Sequence, residues 1–284
     1  MRLVNFLKAG RHALGARVDG TIVDLTAAGL PDCVDALLML GPEAMQRARA
    51  AAAKGSAAVP AANVKLLAPV LNPTKAIAVG LNYIDHAAES PYKDAPKYPV
   101  LFHRFPSSWV ADGEPLVKPK VSDQFDYEAE LAVIIGTTGR HIAKDKALDH
   151  VAGYSLFNDG SIRDYQFKSH QWMIGKNFDA SGSFGPDLVT ADELPPGAAG
   201  LRLQARLNGQ VMQDANTRDM IFDVATLVSV CSEIFALLPG DVIISGTPAD
   251  VGFARKPPIF MKQGDIIEVE VEKIGVLRNT IRNE

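Results

Sequence analysis

The segment Gln124-Phe125-Asp126-Tyr127-Glu128-Ala129-Glu130-Leu131-Ala132-Val133-Ile134-Ile135-Gly136 alternates acidic and apolar residues, then becomes wholly apolar. In an extended chain, every second side chain points to the same face. Asp126, Glu128 and Glu130 are therefore expected on one face, with Phe125, Tyr127, Ala129 and Leu131 on the other, packed into a core. Neighbouring carboxylates repel, and a hard divalent cation with oxygen ligands is the simplest compensation. The same alternation recurs in Ile267-Glu268-Val269-Glu270-Val271-Glu272. There a half-exposed strand with a solvated acidic face near Lys262 and Lys273 is sufficient, so the pattern alone does not separate the two strands.

Around this segment the chain reads as mainly β. Leu3 to Leu7, Ala13 to Val18 and Thr21 to Leu25 are expected strands, with a hairpin turn at Asp19-Gly20. Residues 32–53 are expected to be helical and 55–74, which hold Gly, Ser and several Pro, to form a linker. Ala76 to Val79 is a short apolar strand. Leu201 to Leu207 alternates, with Arg202, Gln204 and Arg206 on the wet side before a turn at Asn208-Gly209. A helix is predicted from an N-cap at Asp223, with Val224, Leu227, Val228, Cys231, Ile234 and Phe235 on its apolar stripe, ending at Pro239-Gly240. Asp241 to Gly246 is the next strand. Strands and helices do not alternate regularly, which argues against a doubly wound parallel sheet.

The 284 residues fit one large domain or a large domain with a small one, and 47% apolar content supports a substantial core. A net charge of −4, without a basic-aromatic patch, argues against nucleic acid as a partner. No stretch approaches the length of a membrane span, and no cleavage signal stands at the start. Cys33 and Cys231 lie far apart without ligand-like spacing. A soluble, reducing, cytoplasmic setting is the expectation.

Four further segments carry chemistry. Asp159 follows the apolar strand Val151 to Leu156, either as a helix N-cap or as a third carboxylate for an octahedral metal site with room for water and substrate. His86 and Glu89 are three apart and share a face in a helical turn. They are either a surface pair or a general base with its orienting carboxylate. Ser90 to Pro99 has turn formers and no apolar face, and reads as a mobile lid. Trp172 to Asp179 reads as an apolar strand holding one lysine, Lys176, which needs an anionic partner if it points inward. Ser245 to Gly252 either cradles a carboxylate or simply turns. His12, His141, His150 and His170 lack ligand spacing and read as surface residues. No P-loop, Gly-x-Ser-x-Gly or GxGxxG element is present.

Taken in order, Asp126-Tyr127-Glu128-Ala129-Glu130-Leu131, Asn158-Asp159-Gly160-Ser161-Ile162-Arg163-Asp164, Gly175-Lys176, and Leu238 to Ile243 running into Ser245-Gly246-Thr247-Pro248 resemble the fumarylacetoacetate hydrolase superfamily from about Ile77 onward. The resemblance implies an α+β, mainly β fold: a mixed β-sandwich roll with a few peripheral helices and a small N-terminal α/β region. It implies an N-terminal domain and linker over 1–70, a catalytic domain over 71–284, and a homodimer. It also implies Mg²⁺ or Mn²⁺ on Glu128, Glu130 and Asp159, a catalytic His86–Glu89 pair on a short helix, and Lys176 beside the metal. Arg163, Gln166 and Thr247 become the candidate contacts of a small 2-oxo acid substrate. Arg104, in Phe102-His103-Arg104-Phe105-Pro106, stands where many members carry lysine. The implied reaction is hydrolysis of a 2,4-dioxo acid between C3 and C4 to pyruvate and a carboxylic acid. The alternatives are decarboxylation, hydroxymuconate-type isomerisation or dehydration of a 2-oxo-3-deoxy acid at the same site.

Overall fold

A computed structural model describes residues 1–89 and 95–284. Ser90 to Asp94, half of the segment read as a lid, lie outside the described residues. No helix among those described is long and apolar enough to cross a membrane.

Two sheets organise the chain. The larger runs in the order Ala58–Pro60, Thr21–Asp24, Arg11–Val18, Arg2–Lys8, Gly182–Thr190, Val151–Asn158, Ala129–Ile135, Val242–Ile244, Ala76–Gly80 and Val100–His103. Most neighbours are antiparallel, but Val242–Ile244 and Ala76–Gly80 pair in parallel, which makes the sheet mixed. The second sheet has the order Gln210–Asn216, Arg202–Leu207, Ile266–Val271, Gly275–Asn283 and Leu116–Lys118. The strands of residues 2–24 continue the larger sheet through the pairing of Arg2–Lys8 with Gly182–Thr190.

Strand Ala129–Ile135 divides two cores. Leu131, Val133 and Ile135 join a cluster with Leu203, Val269 and Leu277 of the second sheet. Ala132 and Ile134 face a second cluster with Val34, Leu37 and Ala48 of the N-terminal helices. Both faces are buried, so the strand reads as one apolar run rather than as alternation.

Local signals account for most element ends. Asp19 and Gly20 both have positive φ, at 44° and 79°, as a two-residue hairpin between right-twisted strands requires. The side chain of Asp223 accepts from Thr226 N at the start of helix Val224–Ile234. That helix stops at Phe235, before Pro239-Gly240, and Ile234 is exposed rather than on the buried stripe. The single helix expected over 32–53 is instead two, Val34–Met39 and Pro42–Lys54. Gly41 at φ 77° breaks it, and Pro42 starts the second helix where a missing N–H costs nothing. Met173–Lys176 is one helical turn rather than a strand. Gly175 lets this turn pack against Gln166, because a Cβ there would lie 2.4 Å from the backbone nitrogen of Gln166.

Candidate active site

The register between Ala129–Ile135 and Val151–Asn158 pairs Ala129 with Asn158. One step beyond, the Asp159 N–H donates to Glu128 O at 2.9 Å, so the two acidic residues meet across the end of the sheet. Glu130 joins them from the same strand. Oxygens of Glu128, Glu130 and Asp159 lie within 4.8 Å of one another, and all three residues are buried. Asp159 does not cap a helix; the N-cap of Arg163–Gln166 is Ile162.

Asp126 departs from the shared face expected of it. The extended run breaks between Phe125–Asp126 and Ala129–Ile135. Two amides there bond to side chains instead of to a neighbouring strand: Tyr127 N to Asp126 Oδ1 at 2.8 Å and Glu128 N to Asn158 Oδ1 at 3.0 Å. Asp126 turns aside to accept from Gly252 N at 2.8 Å, Phe253 N at 2.9 Å and Arg163 Nε at 2.8 Å. Its role in the structure is to hold Arg163 and the 252–253 loop.

The second acidic strand is different again. Glu268 and Glu270 pair with Arg206 at 3.0 and 2.5 Å, and Glu268 also with Arg278 at 3.3 Å. The compensating charges are cross-strand arginines, not the expected Lys262 and Lys273.

Three buried cations answer the buried carboxylates. Lys176 Nζ lies 2.6 Å from Glu128 Oε2 and 2.7 Å from Asp159 Oδ2. Arg163 Nη1 lies 2.7 Å from Glu128 Oε1. Arg104 Nη1 lies 2.6 Å from Asp159 Oδ1. Among the described residues, four buried carboxylates thus face three cations, with Asp126 as the fourth acid. Glu130 is the acid without an ion-pair partner; its Oε2 accepts from Gly246 N. Burial and the charges of Asp159 and Glu128 push its carboxyl well above the ordinary range. Burial acts on Glu128 in the same direction, but Lys176 and Arg163 outweigh it and bring that carboxyl to about 2. One excess negative charge among close oxygens fits a hard divalent ion, which would leave the cluster net positive toward an anionic ligand.

The base is brought to the same cleft by Ala76–Gly80, two strands along from Ala129–Ile135 in the same sheet. Strand Ala76–Gly80 ends in Leu81 at φ 57°. The side chain of Asn82 then donates to Ser245 O at 2.7 Å and Phe222 O at 3.0 Å, fixing the turn into helix Ile84–Glu89. His86 Nδ1 lies 2.9 Å from Glu89 Oε1, and Glu89 Oε2 accepts from Asp250 N at 3.0 Å. With Nδ1–H directed at the carboxylate, Nε2 is the acceptor nitrogen.

His86, Glu89, Glu128, Glu130, Asp159 and Lys176 all border one cleft, as do Arg163, Gln166 and Thr247. These nine residues therefore share one cleft, whereas Asp126 and Arg104 do not line it. Their engagements differ. Arg163 Nη2 is buried and has no partner among the described residues. Gln166 accepts from Arg163 Nη1 at 3.0 Å, which leaves its amide nitrogen as the donor end. Thr247 already donates to Ala129 O at 3.0 Å and accepts from Gln213 at 2.9 Å, so its hydroxyl braces the strand. The rest of the lining is mostly apolar and includes Val79, Leu81, Phe102, Phe167, Trp172 and Phe253. The ion pair of Arg104 was not foreseen, because its partners lie 55 or more residues away.

The family model described as fumarylacetoacetate (FAA) hydrolase C-terminal matches residues 75–282. The mitochondrial oxaloacetate tautomerase of Xenopus laevis is 39% identical over 99% of this chain and 90% of that protein. A solved fumarylacetoacetate hydrolase from the psychrophile Exiguobacterium antarcticum is 37% identical, with a TM-score of 0.87 over 100% of both chains. The maleylpyruvate hydrolase of Sphingobium sp. SYK-6, solved with manganese(II) and pyruvate, is 30% identical with a TM-score of 0.83, covering 100% of this chain and 99% of its own. The chain is a member of the fumarylacetoacetate hydrolase family.

Proposed function

We propose that this chain is a metal-dependent enzyme that moves a proton at C3 of a small 2-oxo acid, acting as a keto–enol tautomerase on a substrate of the oxaloacetate class. The observation that carries this reading is the His86–Glu89 pair, which borders the same cleft as the Glu128, Glu130 and Asp159 carboxylates. Full-length similarity to the oxaloacetate tautomerase supports the choice of reaction.

A bound Mg²⁺ or Mn²⁺, held by Glu128, Glu130 and Asp159, supplies Lewis-acid stabilisation for negative charge on the 2-oxo oxygen. The protein does the rest. Arg163 Nη2 is a buried donor waiting for a carboxylate oxygen, and Asp126 keeps that guanidinium from turning away. Gln166 offers its amide beside it. His86 Nε2 takes the C3 proton, while Glu89 fixes the tautomer and stabilises the imidazolium. Delivery of a proton to the C2 oxygen then gives the enol, and the reverse sequence, loss of that hydroxyl proton and proton delivery to C3 from His86, gives the keto acid, so the net change is an isomerisation. The apolar wall excludes water from the carbanion. A homodimer belongs to the same proposal, and light scattering measures it directly.

One observation favours a second reading, hydrolysis of a 2,4-dioxo acid between C3 and C4. Val79, Leu81, Phe102, Phe167, Trp172 and Phe253 suit an apolar acyl group better than a second carboxylate. In that case His86 activates water instead of C3.

The two are separated by ¹H NMR in D₂O with Mg²⁺. Faster ketonisation of enol-oxaloacetate with deuterium entry at C3, abolished by EDTA, is expected. Pyruvate release from acylpyruvates without any effect on oxaloacetate would favour hydrolysis, and inertness toward both would contradict an enzymatic role.

A further inference from the structure

The Arg104 side chain is fully removed from solvent. It does not border the cleft, so it cannot touch a substrate there. Its planar fork is nevertheless fully used. Nε donates to Ser108 Oγ at 3.0 Å. Nη1 donates to Asp159 Oδ1 at 2.6 Å and Gly160 O at 3.1 Å. Nη2 donates to Ser108 O at 3.1 Å and Ser181 Oγ at 3.5 Å. All five N–H groups of a guanidinium thus have an acceptor.

The surroundings are shaped to this group. A Cβ on Gly182 would lie 2.5 Å from Arg104 Nη2, and one on Gly160 would lie 1.9 Å from Ser181 O. Phe157 places its ring 5.5 Å beneath the guanidinium carbon. Asp159 is gripped asymmetrically as a result: Oδ1 faces Arg104, while Oδ2 faces Lys176 in the cleft-side cluster.

We propose that Arg104 is the positioning residue of the carboxylate cluster, holding Asp159 by one oxygen so that the other is presented beside Glu128 and Glu130. This rests on the metal-binding reading above. A carboxylate restrained by an outer partner binds a cation in one orientation without losing rotamer freedom on binding. Removing such a partner typically costs 10–100-fold in metal affinity. Lysine in this position keeps the charge but has three donors instead of five and no fixed plane.

The test is a Mn²⁺ titration of Arg104→Lys by EPR, which reads free Mn²⁺ independently of turnover. Affinity about 10-fold below wild type is expected, with a bound-Mn²⁺ spectrum broadened by a mobile ligand. Ser108→Ala, which removes the Nε acceptor together with the Ser108 hydroxyl's own bond to Phe105 O, is expected to lose several-fold and keeps the question answerable if Arg104→Lys does not fold. A folded Arg104→Lys protein, or Ser108→Ala in its place, that melts lower yet binds Mn²⁺ with wild-type affinity and spectrum would reduce Arg104 to a structural ion pair and overturn the proposal. Wild-type protein that binds no Mn²⁺ would overturn the metal reading itself.

Discussion

Glu128 and Glu130 stand two residues apart beside one cleft and are driven in opposite directions. Both are buried, but Lys176 and Arg163 hold Glu128 at about 2, whereas Glu130 has two like charges and a single backbone N–H and rises well above the ordinary range. The difference lies in which cations the fold delivers to each oxygen.

Metal binding should therefore release a proton. Where Glu130 holds its proton, a divalent ion must displace it, so apparent affinity rises with pH up to the raised value. Calorimetry in two buffers of different ionisation enthalpy measures the proton count. Metal-free stability should move the other way. Glu130 binds its proton more tightly folded than unfolded, so its contribution falls as pH climbs from about 4.3 through the raised folded value. Glu128 acts only at lower pH, where its stabilisation disappears as pH drops from about 4.3 toward 2. Melting curves in EDTA across pH 5–8 check the sign, and added Mn²⁺ should reverse the slope.

Glu130→Gln should separate stability from function. The amide keeps an acceptor for Gly246 N and removes the uncompensated charge. The metal-free variant is expected to be more stable than metal-free wild type at neutral pH by about 1 kcal/mol, while Mn²⁺ affinity is lost. Denaturant unfolding and Mn²⁺ titration on the same preparation check both halves.

His86→Ala should retain metal binding and lose turnover by about 10²–10⁴-fold. Glu89→Gln should lose less, because the imidazole remains but its tautomer and orientation are no longer fixed. Full activity in His86→Ala would contradict both reaction schemes.

Asp126→Ala should act through Arg163 rather than through the metal. It strands a buried guanidinium and frees the Gly252 and Phe253 amides, a loss of about 3–5 kcal/mol for a broken buried pair. Weakened substrate binding with Mn²⁺ affinity within a few-fold of wild type is expected. Glu268→Gln, in the other acidic strand, should leave Mn²⁺ binding unchanged and shift stability by no more than about 1 kcal/mol.

These contrasts mark where sequence reasoning reached and where it stopped. The mainly β character was legible because alternation, hairpin dipeptides and the N-cap at Asp223 are local signals, whereas the sandwich arrangement of the sheets rested on the family resemblance. The two acidic strands look alike locally, and what distinguishes them is the register that sets Glu128 beside Asp159 and Glu268 beside Arg206. The diversion of Asp126 was hidden because it depends on Asn158 capturing the Glu128 amide. The apolar pattern places Lys176 in a strand, whereas the chain there makes a helical turn packed through Gly175 against the Gln166 backbone, a contact that no local pattern carries. Arg104 gave no signal beyond its charge, since every acceptor but Ser108 comes from residues 159–181.

Anomalous diffraction from crystals grown with Mn²⁺ tests the central claim most directly. A single strong peak bonded to oxygens of Glu128, Glu130 and Asp159, with Asp126 still on Arg163, is the expected result. A catalytically Mn²⁺-dependent protein whose ion sits elsewhere, or is held by fewer than three of these side chains, would contradict the account.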